Sequence, residues 1–342
     1  MRSLLAGLVV AAPFVMGLAT TPDAPHATTV LTFQDPAIVE QSALLLQDGL
    51  FVTTNDSGDT GRVFVVDGTG ATVGVTHWAD HPTDTEALAP GGPGYVWVGD
   101  IGDNLARRSD VTITRVPVGR GERTVRATSY HLTYPGGAND AETLVRDPVS
   151  GRLYIATKDV FGGRLYAVPQ RLSATGPNRL QPVGRVLPIA TDGSFFPDGR
   201  HLVVRDYAVA TVYAWPSMQQ VATFDLPAEP QGEGIAVGPD DTLYLSSEGL
   251  HSPVLETRVP AAVRTAMAAT PSRSPSATVS PSTGAEPGTA TATDHASNHE
   301  VLPWVAGGLL ALGALAVLVL SLRPSGRRRG PPSGEEEDGA AA

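Results

Sequence analysis

The sequence repeats one pattern five times between residues 40 and 260, and this repetition limits the possible folds more than any other feature. Each copy has a carboxylate, a short apolar run, a turn, and an alternating segment centred on a large apolar residue. The apolar residues are Phe51, Trp97, Tyr154, Val203 and Tyr244. The carboxylates before them are Glu40, Glu86, Glu142, Asp192 and Glu233, spaced 46, 56, 50 and 41 residues apart. Such a period is typical of propeller blades, which have four strands each.

Each copy continues with a third strand-like segment, and the first four copies also have a fourth. The third segments are 62–66, 111–116, 164–168, 211–215 and 254–259, and the fourth are 72–78, 126–134, 180–187 and 221–226. The fifth copy lacks a fourth strand, whereas the segment Thr28–Phe33 has no blade of its own. We therefore predict an all-β fold, a five-bladed β-propeller over residues 24–260, in which the N-terminal strand completes the last blade and protects its edges.

Composition supports this fold class and excludes some functions. The chain has 37 Gly and 29 Pro among 342 residues, which favours short strands and turns over helices. It has no Cys, and therefore neither disulfides nor thiol chemistry. The net charge of -11 argues against nucleic acid as a partner and favours cations or basic partners.

The two ends of the chain predict a membrane protein. Residues 1–19 have a basic residue, an apolar run and small residues before a cleavage site, as in a signal peptide. Residues 301–322 are uncharged and long enough to span a bilayer, and the arginines after them predict a cytoplasmic tail, 323–342. The Pro-, Ser-, Thr- and Ala-rich segment 261–300 predicts a stalk. We expect a single-pass type I protein of the cell membrane with an extracytoplasmic propeller.

The repeated carboxylates are the first candidate site. The first strand of a blade lines the central channel, so we expect Glu40, Glu86, Glu142, Asp192 and Glu233 to form a ring near one channel mouth. Close carboxylates need a cation, hydrogen-bond donors or raised pKa values. Their oxygens suit Ca²⁺ or another hard divalent cation. Alternatively, each carboxylate accepts hydrogen bonds from backbone amides of the next blade and has a purely structural role.

The ends of the second strands lie at the same end of the propeller and supply further candidates. We predict a ligand site there from Asp100, Asp103, Asn104 and Lys158, the last being the only lysine of the chain. Asn55, Asp56, Asp206 and Glu248 belong to the same face. The oxygen-rich segment Asn55–Asp59 could wrap a Ca²⁺ ion, although its two Asp-x-Gly triplets are more typical of turns.

These motifs resemble those of a family of bacterial secreted or membrane-tethered β-propellers of largely unknown function. The matching segments cover roughly the first three blades and are Asn55–Asp59, Thr85–Ala89, Gly99–Asn104, Asn139–Leu144 and Thr157–Lys158. Such proteins are distantly similar to phytase-like, gluconolactonase-like and NHL-type propellers. The resemblance implies that channel carboxylates bind a divalent cation, and that the protein hydrolyses esters or lactones.

Three functional hypotheses remain open from the sequence. The first is a binding or scaffold module with an extracellular ligand or protein as its partner, because a fold alone does not determine an activity. The second is a divalent-metal-dependent hydrolase acting on a phosphoester, lactone or other ester. The third is a glycosidase that uses two channel carboxylates as acid and base. The sequence leaves open whether the protein is an enzyme.

Overall fold

Short strands joined by tight turns make up almost all of the computed structural model, which describes residues 25–79 and 81–270. In chain order the strands are β1 (Thr28–Thr32), β2 (Gln41–Gln47), β3 (Leu50–Asn55), β4 (Gly61–Val66), β5 (Thr72–Ala79), β6 (Thr85–Pro90), β7 (Tyr95–Asp100), β8 (Val111–Pro117), β9 (Gly121–Thr124), β10 (Ser129–Thr133), β11 (Ala141–Arg146), β12 (Leu153–Thr157), β13 (Arg164–Ala167), β14 (Asn178–Arg179), β15 (Gln181–Arg185), β16 (Asp192–Phe195), β17 (His201–Arg205), β18 (Val209–Ala214), β19 (Gln219–Asp225), β20 (Gly232–Val237), β21 (Thr242–Ser247) and β22 (Pro253–Arg258). One helix, α1 (Ala261–Ala269), follows the last strand within these residues.

The strands form five sheets, each with four antiparallel strands, and these are the five predicted blades. From the channel outward, blade 1 is β2-β3-β4-β5, blade 2 is β6-β7-β8-β10, blade 3 is β11-β12-β13-β15 and blade 4 is β16-β17-β18-β19. Blade 5 is β20-β21-β22-β1, in which Thr28 pairs with Glu256 and Thr32 with Pro253. The N-terminal strand therefore completes the last blade, as predicted.

The apolar core lies between neighbouring blades. Each of the five junctions has its own cluster of buried aliphatic and aromatic side chains, so the ring is closed by packing on every side. Phe51 of blade 1 meets Tyr244 of blade 5 with ring centroids 5.3 Å apart, and Tyr154 of blade 3 meets Trp215 of blade 4 at 4.7 Å. Edge-to-face pairs of this kind add stabilisation beyond the apolar area that they bury.

Turn chemistry explains the hairpins within the blades. Between β2 and β3 the chain turns through Asp48 and Gly49, which have φ values of 52° and 74°. A two-residue turn with two positive φ angles matches the twist of the strands that it joins, and Asp-Gly is a preferred pair for it. This hairpin lies at the end of blade 1 opposite the start of β2.

Two outer strands were not predicted. β9 lies parallel to β5 at the edge of blade 1, and β14 lies parallel to β10 at the edge of blade 2. The four residues of β9 are Gly-Glu-Arg-Thr, and β14 has only two residues, so neither has an apolar alternation. β9 occurs in the sequence of blade 2 and covers the edge of blade 1, and β14 occurs in the sequence of blade 3 and covers the edge of blade 2. Each strand thereby removes an exposed sheet edge.

Helix α1 corrects the predicted start of the stalk at residue 261. Val263 and Met267, four residues apart and therefore on one helix face, are buried in the cluster between blades 4 and 5. The folded unit therefore extends at least to Ala269. The predicted signal peptide, transmembrane segment and tail, and residues 271–300 of the stalk, lie outside the described residues. Within the described residues, no helix has the length and apolar character needed to cross a membrane.

Candidate functional site

A repeated β-bulge places side chains at one end of the central channel. The innermost strands of blades 1, 2, 3 and 5 each have a register shift near their first residues. The extra residues at these bulges are Ser42, Glu86, Glu142 and Glu233, all of which are buried. A bulge re-aims a side chain relative to the regular ladder. We call this end of the channel the acidic mouth, defined by Asp56, Asp84, Glu86, Glu142 and Glu233.

Three carboxylates of the acidic mouth form a group with the spacing of a metal site. Asp56, Asp84 and Glu86 each offer an oxygen, and these oxygens lie within 4.8 Å of one another. Burial, and then the nearby charges of Glu142 and Asp56, raise the pKa of Glu86 to about 11. Burial, and then Asp56, raise the pKa of Asp84 to about 7. Negative charge is therefore unfavourable here without a cation, and the donor set suits a hard divalent ion.

The loop that follows β7 holds Asp84 in place. The Asp100 carboxylate accepts hydrogen bonds from the backbone amides of Asp84 at 2.8 Å and Thr83 at 3.1 Å. Arg108 forms an ion pair with Asp100 at 2.9 Å and donates to the Gly102 carbonyl at 2.7 Å. A Cβ atom on Gly102 would lie 2.4 Å from the Asp84 carboxylate, so only glycine allows this approach. Asp100 thus positions a cluster member rather than facing a ligand.

The other residues predicted for the ligand site have different surroundings. Asp103 is buried, and its carboxylate accepts the backbone amides of Arg107 and Arg108 at 2.9 and 2.8 Å. Asn104 has an exposed side chain in the same loop. Only Lys158 of the predicted set reaches the acidic mouth with its charged group. The loop after β7 is therefore a support for the mouth.

Lys158 joins two groups in the acidic mouth, one from blade 3 and one from blade 4. Its ammonium donates to Glu142 Oε1 and, at 2.8 Å, to the hydroxyl of Tyr207. Burial alone would lower the pKa of Lys158, but the Glu142 carboxylate raises it above its ordinary value, so the amine stays protonated. Glu142 Oε2 is buried and has no hydrogen-bond partner within the described residues. A second donor or cation is therefore missing at this carboxylate.

Glu142 and Glu233 also have raised pKa values. Burial, and then Glu233, raise the pKa of Glu142 to about 8, although Lys158 opposes this rise. Burial raises the pKa of Glu233 to about 7, again against the effect of Lys158. The acidic mouth therefore contains several carboxyls that exchange protons near neutral pH. Carboxyls with shifted pKa values are more frequent at functional sites than elsewhere, although structural networks of charges also produce them.

Asp192 has the structural role that the sequence left open. Its oxygens accept the backbone amides of Gly193 at 2.7 Å and of Ile235 in blade 5 at 2.9 Å. The backbone amide of Leu44 in blade 1 faces the same carboxylate and favours its charged form. Burial nevertheless raises the pKa of Asp192 to about 8, against the opposing effect of these amides. Asp192 therefore links the innermost strands of blades 4 and 5.

Glu40 was assigned to the ring incorrectly. The Glu40 carbonyl accepts a hydrogen bond from the backbone amide of Asp56. The corresponding bond in blade 2 joins the Asp84 carbonyl to the Gly102 amide, and in blade 3 the Asp140 carbonyl to the Lys158 amide. Glu40 is therefore equivalent to Asp84, and Ser42 has the position of Glu86. The Glu40 side chain is exposed. The error arose because spacing to the next apolar residue cannot detect a two-residue shift of register.

The segment Asn55–Asp59 does not enclose an ion by itself. The Asp59 carboxylate accepts hydrogen bonds from Asn55 and Arg62, both at 2.8 Å, and is thereby occupied. Only Asp56 from this segment joins the cluster. Asp84 and Tyr207 were not among the predicted site residues. The signal that could have identified Asp84 is its position two residues before Glu86, which Asp140 shares with respect to Glu142.

Comparisons with known proteins give only distant similarities. Neither a protein-family model nor a curated protein matches the chain. Among solved structures it is similar to a glucose dehydrogenase, at 12% identity over 69% of this chain and 100% of that one, with a TM-score of 0.40. A putative oxidoreductase (glucose dehydrogenase) from Thermus thermophilus is 13% identical over 68% and 99% of the two chains, with a TM-score of 0.41. A gluconolactonase from Xanthomonas campestris is 17% identical over 71% and 83%, with a TM-score of 0.42. These values are too low to bear on what this chain does.

Proposed function

We propose that this protein is a membrane-anchored extracytoplasmic propeller that binds a hard divalent cation, such as Ca²⁺, at its acidic mouth and presents it to an oxygen-bearing ligand. The observation that carries the proposal is the cluster of Asp56, Asp84 and Glu86, whose oxygens lie within 4.8 Å of one another. A cation would neutralise these charges. The partnerless Glu142 oxygen in the same mouth supports the proposal independently.

The orientation of the fold agrees with an open binding face. The inner strands begin at the acidic mouth, whereas β1 begins and β22 ends at the opposite end of blade 5. The last residue of the described chain, Thr270, lies beside Gln219 at the start of β19, also at that opposite end. The described chain therefore ends at the side of the propeller opposite the acidic mouth.

Substitution of Glu86 tests the cation site. We expect Glu86→Gln to weaken Ca²⁺ binding at least about tenfold, because a neutral amide replaces a charged ligand. Isothermal titration calorimetry of the full-length protein measures this affinity. Glu122→Gln is the matched control, since Glu122 is exposed and lies in blade 1 away from the mouth. Equal Ca²⁺ affinity in the wild type and Glu86→Gln, or no binding at millimolar Ca²⁺, would contradict the proposal.

A second candidate function is ester or lactone hydrolysis at the same site. The observation that favours it is the Lys158 ammonium, which stays charged in the same acidic mouth and is held by Glu142 and Tyr207. A bound hard cation would polarise an ester carbonyl. Lys158 would then stabilise the negative charge that develops on the carbonyl oxygen during attack by water. The glycosidase hypothesis has no comparable observation in its favour and stays a prediction.

Substitution of Lys158 tests this second candidate. We expect full-length protein with Ca²⁺ to hydrolyse members of a panel of δ-valerolactone, p-nitrophenyl acetate and p-nitrophenyl phosphate. Lys158→Met should lower kcat/KM by about 10²–10³ because it removes the stabilising charge. Arg107→Met removes an exposed cation from a neighbouring loop and should have no effect. Absence of Ca²⁺-dependent turnover on the whole panel would leave the protein as a binding module.

A further inference from the structure

Apolar side chains are concentrated on the face that surrounds the acidic mouth. Large apolar residues that are exposed are Val39, Tyr95, Leu105, Val149, Val160, Phe161, Val183, Tyr207 and Leu250, among the residues that the structure describes. Six of these nine lie on loops at the mouth end, and we call them the apolar rim: Val39, Leu105, Val160, Phe161, Tyr207 and Leu250. Tyr95 and Val149 lie on hairpins at the opposite end. Single exposed apolar residues are ordinary, but their collection on one face marks an interaction surface.

The rim comes from loops of four blades and from the segment that leads into blade 1, and these are otherwise unrelated in sequence. Blades 2, 3, 4 and 5 each contribute an apolar residue after their second strand, and Val39 lies just before the first strand of blade 1. The Phe161 side chain is 89% exposed and that of Leu105 is 68% exposed, although both belong to loops with ordered backbone hydrogen bonds. The loop after β3 in blade 1 is polar instead, at the side of the mouth where Asp56 joins the cation cluster.

Carboxylates adjoin the rim where blades 5 and 1 meet. The Gly249 amide donates to the Val39 carbonyl at 3.1 Å, which brings the loop of Leu250 against Val39. Glu40 and Glu248 flank this contact. Burial is the largest cause that raises the pKa of Glu248, and the charges of Asp56 and then Glu40 raise it further, so the two glutamates lie close together. The Glu40 carboxylate has no ion-pair partner within residues 25–79 and 81–270. Apolar and acidic groups therefore alternate along this edge.

We propose that this face docks a segment of a partner protein in which a basic side chain is flanked by apolar residues. The basic side chain would lie against Glu40 and Glu248, and the apolar residues would contact the rim at Leu250, Tyr207 and Phe161. Charge complementarity selects a basic side chain at Glu40 and Glu248, because the exposed arginines of the mouth end, Arg107, Arg164 and Arg185, belong to blades 2 and 3 and not to the junction of blades 5 and 1. An anionic lipid surface would be repelled by these two carboxylates. The docking surface uses Glu40 and Glu248 rather than the cation ligands, so it goes beyond the proposed function.

Fluorescence anisotropy of a labelled peptide tests the docking surface. The probe is a twelve-residue peptide with a central arginine between leucine and phenylalanine residues, titrated with full-length protein in EDTA. One control peptide has glutamate in place of arginine, and another has serine in place of the apolar residues. We expect the probe to bind at least about tenfold more tightly than either control, because both charge and apolar contacts contribute. Because EDTA removes divalent cations, a failure of the peptide to bind is distinguishable from a failure of the cation site.

Matched variants locate the binding. Leu250→Ser, Phe161→Ala and Glu248→Gln should each lower the affinity for the probe peptide at least about fivefold. Val149→Ser, on the opposite face, should leave this affinity unchanged. Melting temperatures show that each variant is folded, and any one folded rim variant suffices for the comparison. Equal affinity for the three peptides overturns the proposal, as does unchanged binding in the rim variants. Preferential binding to phosphatidylglycerol vesicles, or self-association through the rim in analytical ultracentrifugation, also overturns it.

Discussion

The melting temperature of the cation-free protein should fall by about 6–12 °C as the pH rises from 5 to 8.5. The cause is the set of buried carboxyls in the acidic mouth. Burial raises the pKa of Glu142 to about 8 and that of Glu233 to about 7, whereas both lie near 4.5 in an unfolded chain. The folded state therefore binds more protons than the unfolded state between about pH 4.5 and pH 8, and its stability falls as the pH rises through this range.

The size of the effect follows from a modest allowance for each group. Even one carboxyl whose pKa rises from about 4.5 to about 7 on folding, as for Glu233, would cost about 3 kcal/mol of stability between pH 5 and pH 8.5. For a domain of this size, each kcal/mol corresponds to about 2–4 °C in melting temperature. Glu233→Gln should flatten the fall because the amide has no proton to lose. Glu122→Gln, which changes an exposed carboxylate, should leave the pH dependence as it is.

Ca²⁺ should reverse the trend. The cation and the protons compete for the same oxygens, so the affinity for Ca²⁺ should rise with pH and binding should release protons. At a Ca²⁺ concentration of about 100 Kd the stabilisation is about 2.7 kcal/mol, and it should be larger at pH 8 than at pH 5.5. Calorimetry in buffers of different ionisation enthalpy measures the protons released. A cation-free melting temperature that rises steadily from pH 5 to 8.5 would contradict the raised pKa values.

The propeller could be predicted from sequence because its signals are local. Alternating apolar residues identify strands within a few residues, and the same four-strand pattern recurs in the first four copies. Closure by β1 followed from one unmatched strand and one incomplete blade. β9, β14 and α1 were missed because each depends on contacts with another blade. The Ala-rich sequence of α1 resembles the start of a stalk until Val263 and Met267 are seen to be buried.

The site was harder to predict because it depends on register. A single extra residue at each bulge turns Glu86, Glu142 and Glu233 toward the mouth, and composition does not reveal a bulge. Glu40 and Asp192 fit the same spacing, but Glu40 is exposed and Asp192 lies in a blade whose inner strand has no register shift. Tyr207 could not be assigned to the site from the sequence, because Lys158, which it contacts, lies 49 residues earlier in the chain and in the neighbouring blade.

Asp192→Ala should cost about 3–5 kcal/mol of stability, the largest effect that we expect from any single carboxylate of the predicted ring. Asp192 is buried, and its oxygens accept backbone amides from Gly193 and Ile235. Removal of the carboxylate leaves these donors buried without acceptors, and each such donor costs about 1–3 kcal/mol. Chemical denaturation of the full-length protein in EDTA measures the loss. Ser194→Ala, a substitution at the next but one position of the same strand, should cost less than about 1 kcal/mol.

The decisive contrast is with Glu86→Gln. In the cation-free protein at pH 8, burial and the neighbouring carboxylates keep Glu86 protonated, so folding has to take up a proton at this group. Glutamine needs no proton, so the cation-free variant should be at least as stable as the wild type while its Ca²⁺ affinity falls at least about tenfold. Asp192→Ala should do the reverse, with lower stability and Ca²⁺ affinity within about threefold of the wild type in the folded fraction. The reason is that Asp192 satisfies backbone donors of blades 4 and 5, whereas Glu86 faces other carboxylates. If both variants lost stability and neither changed Ca²⁺ affinity, the whole ring would be architectural and the cation site would be wrong.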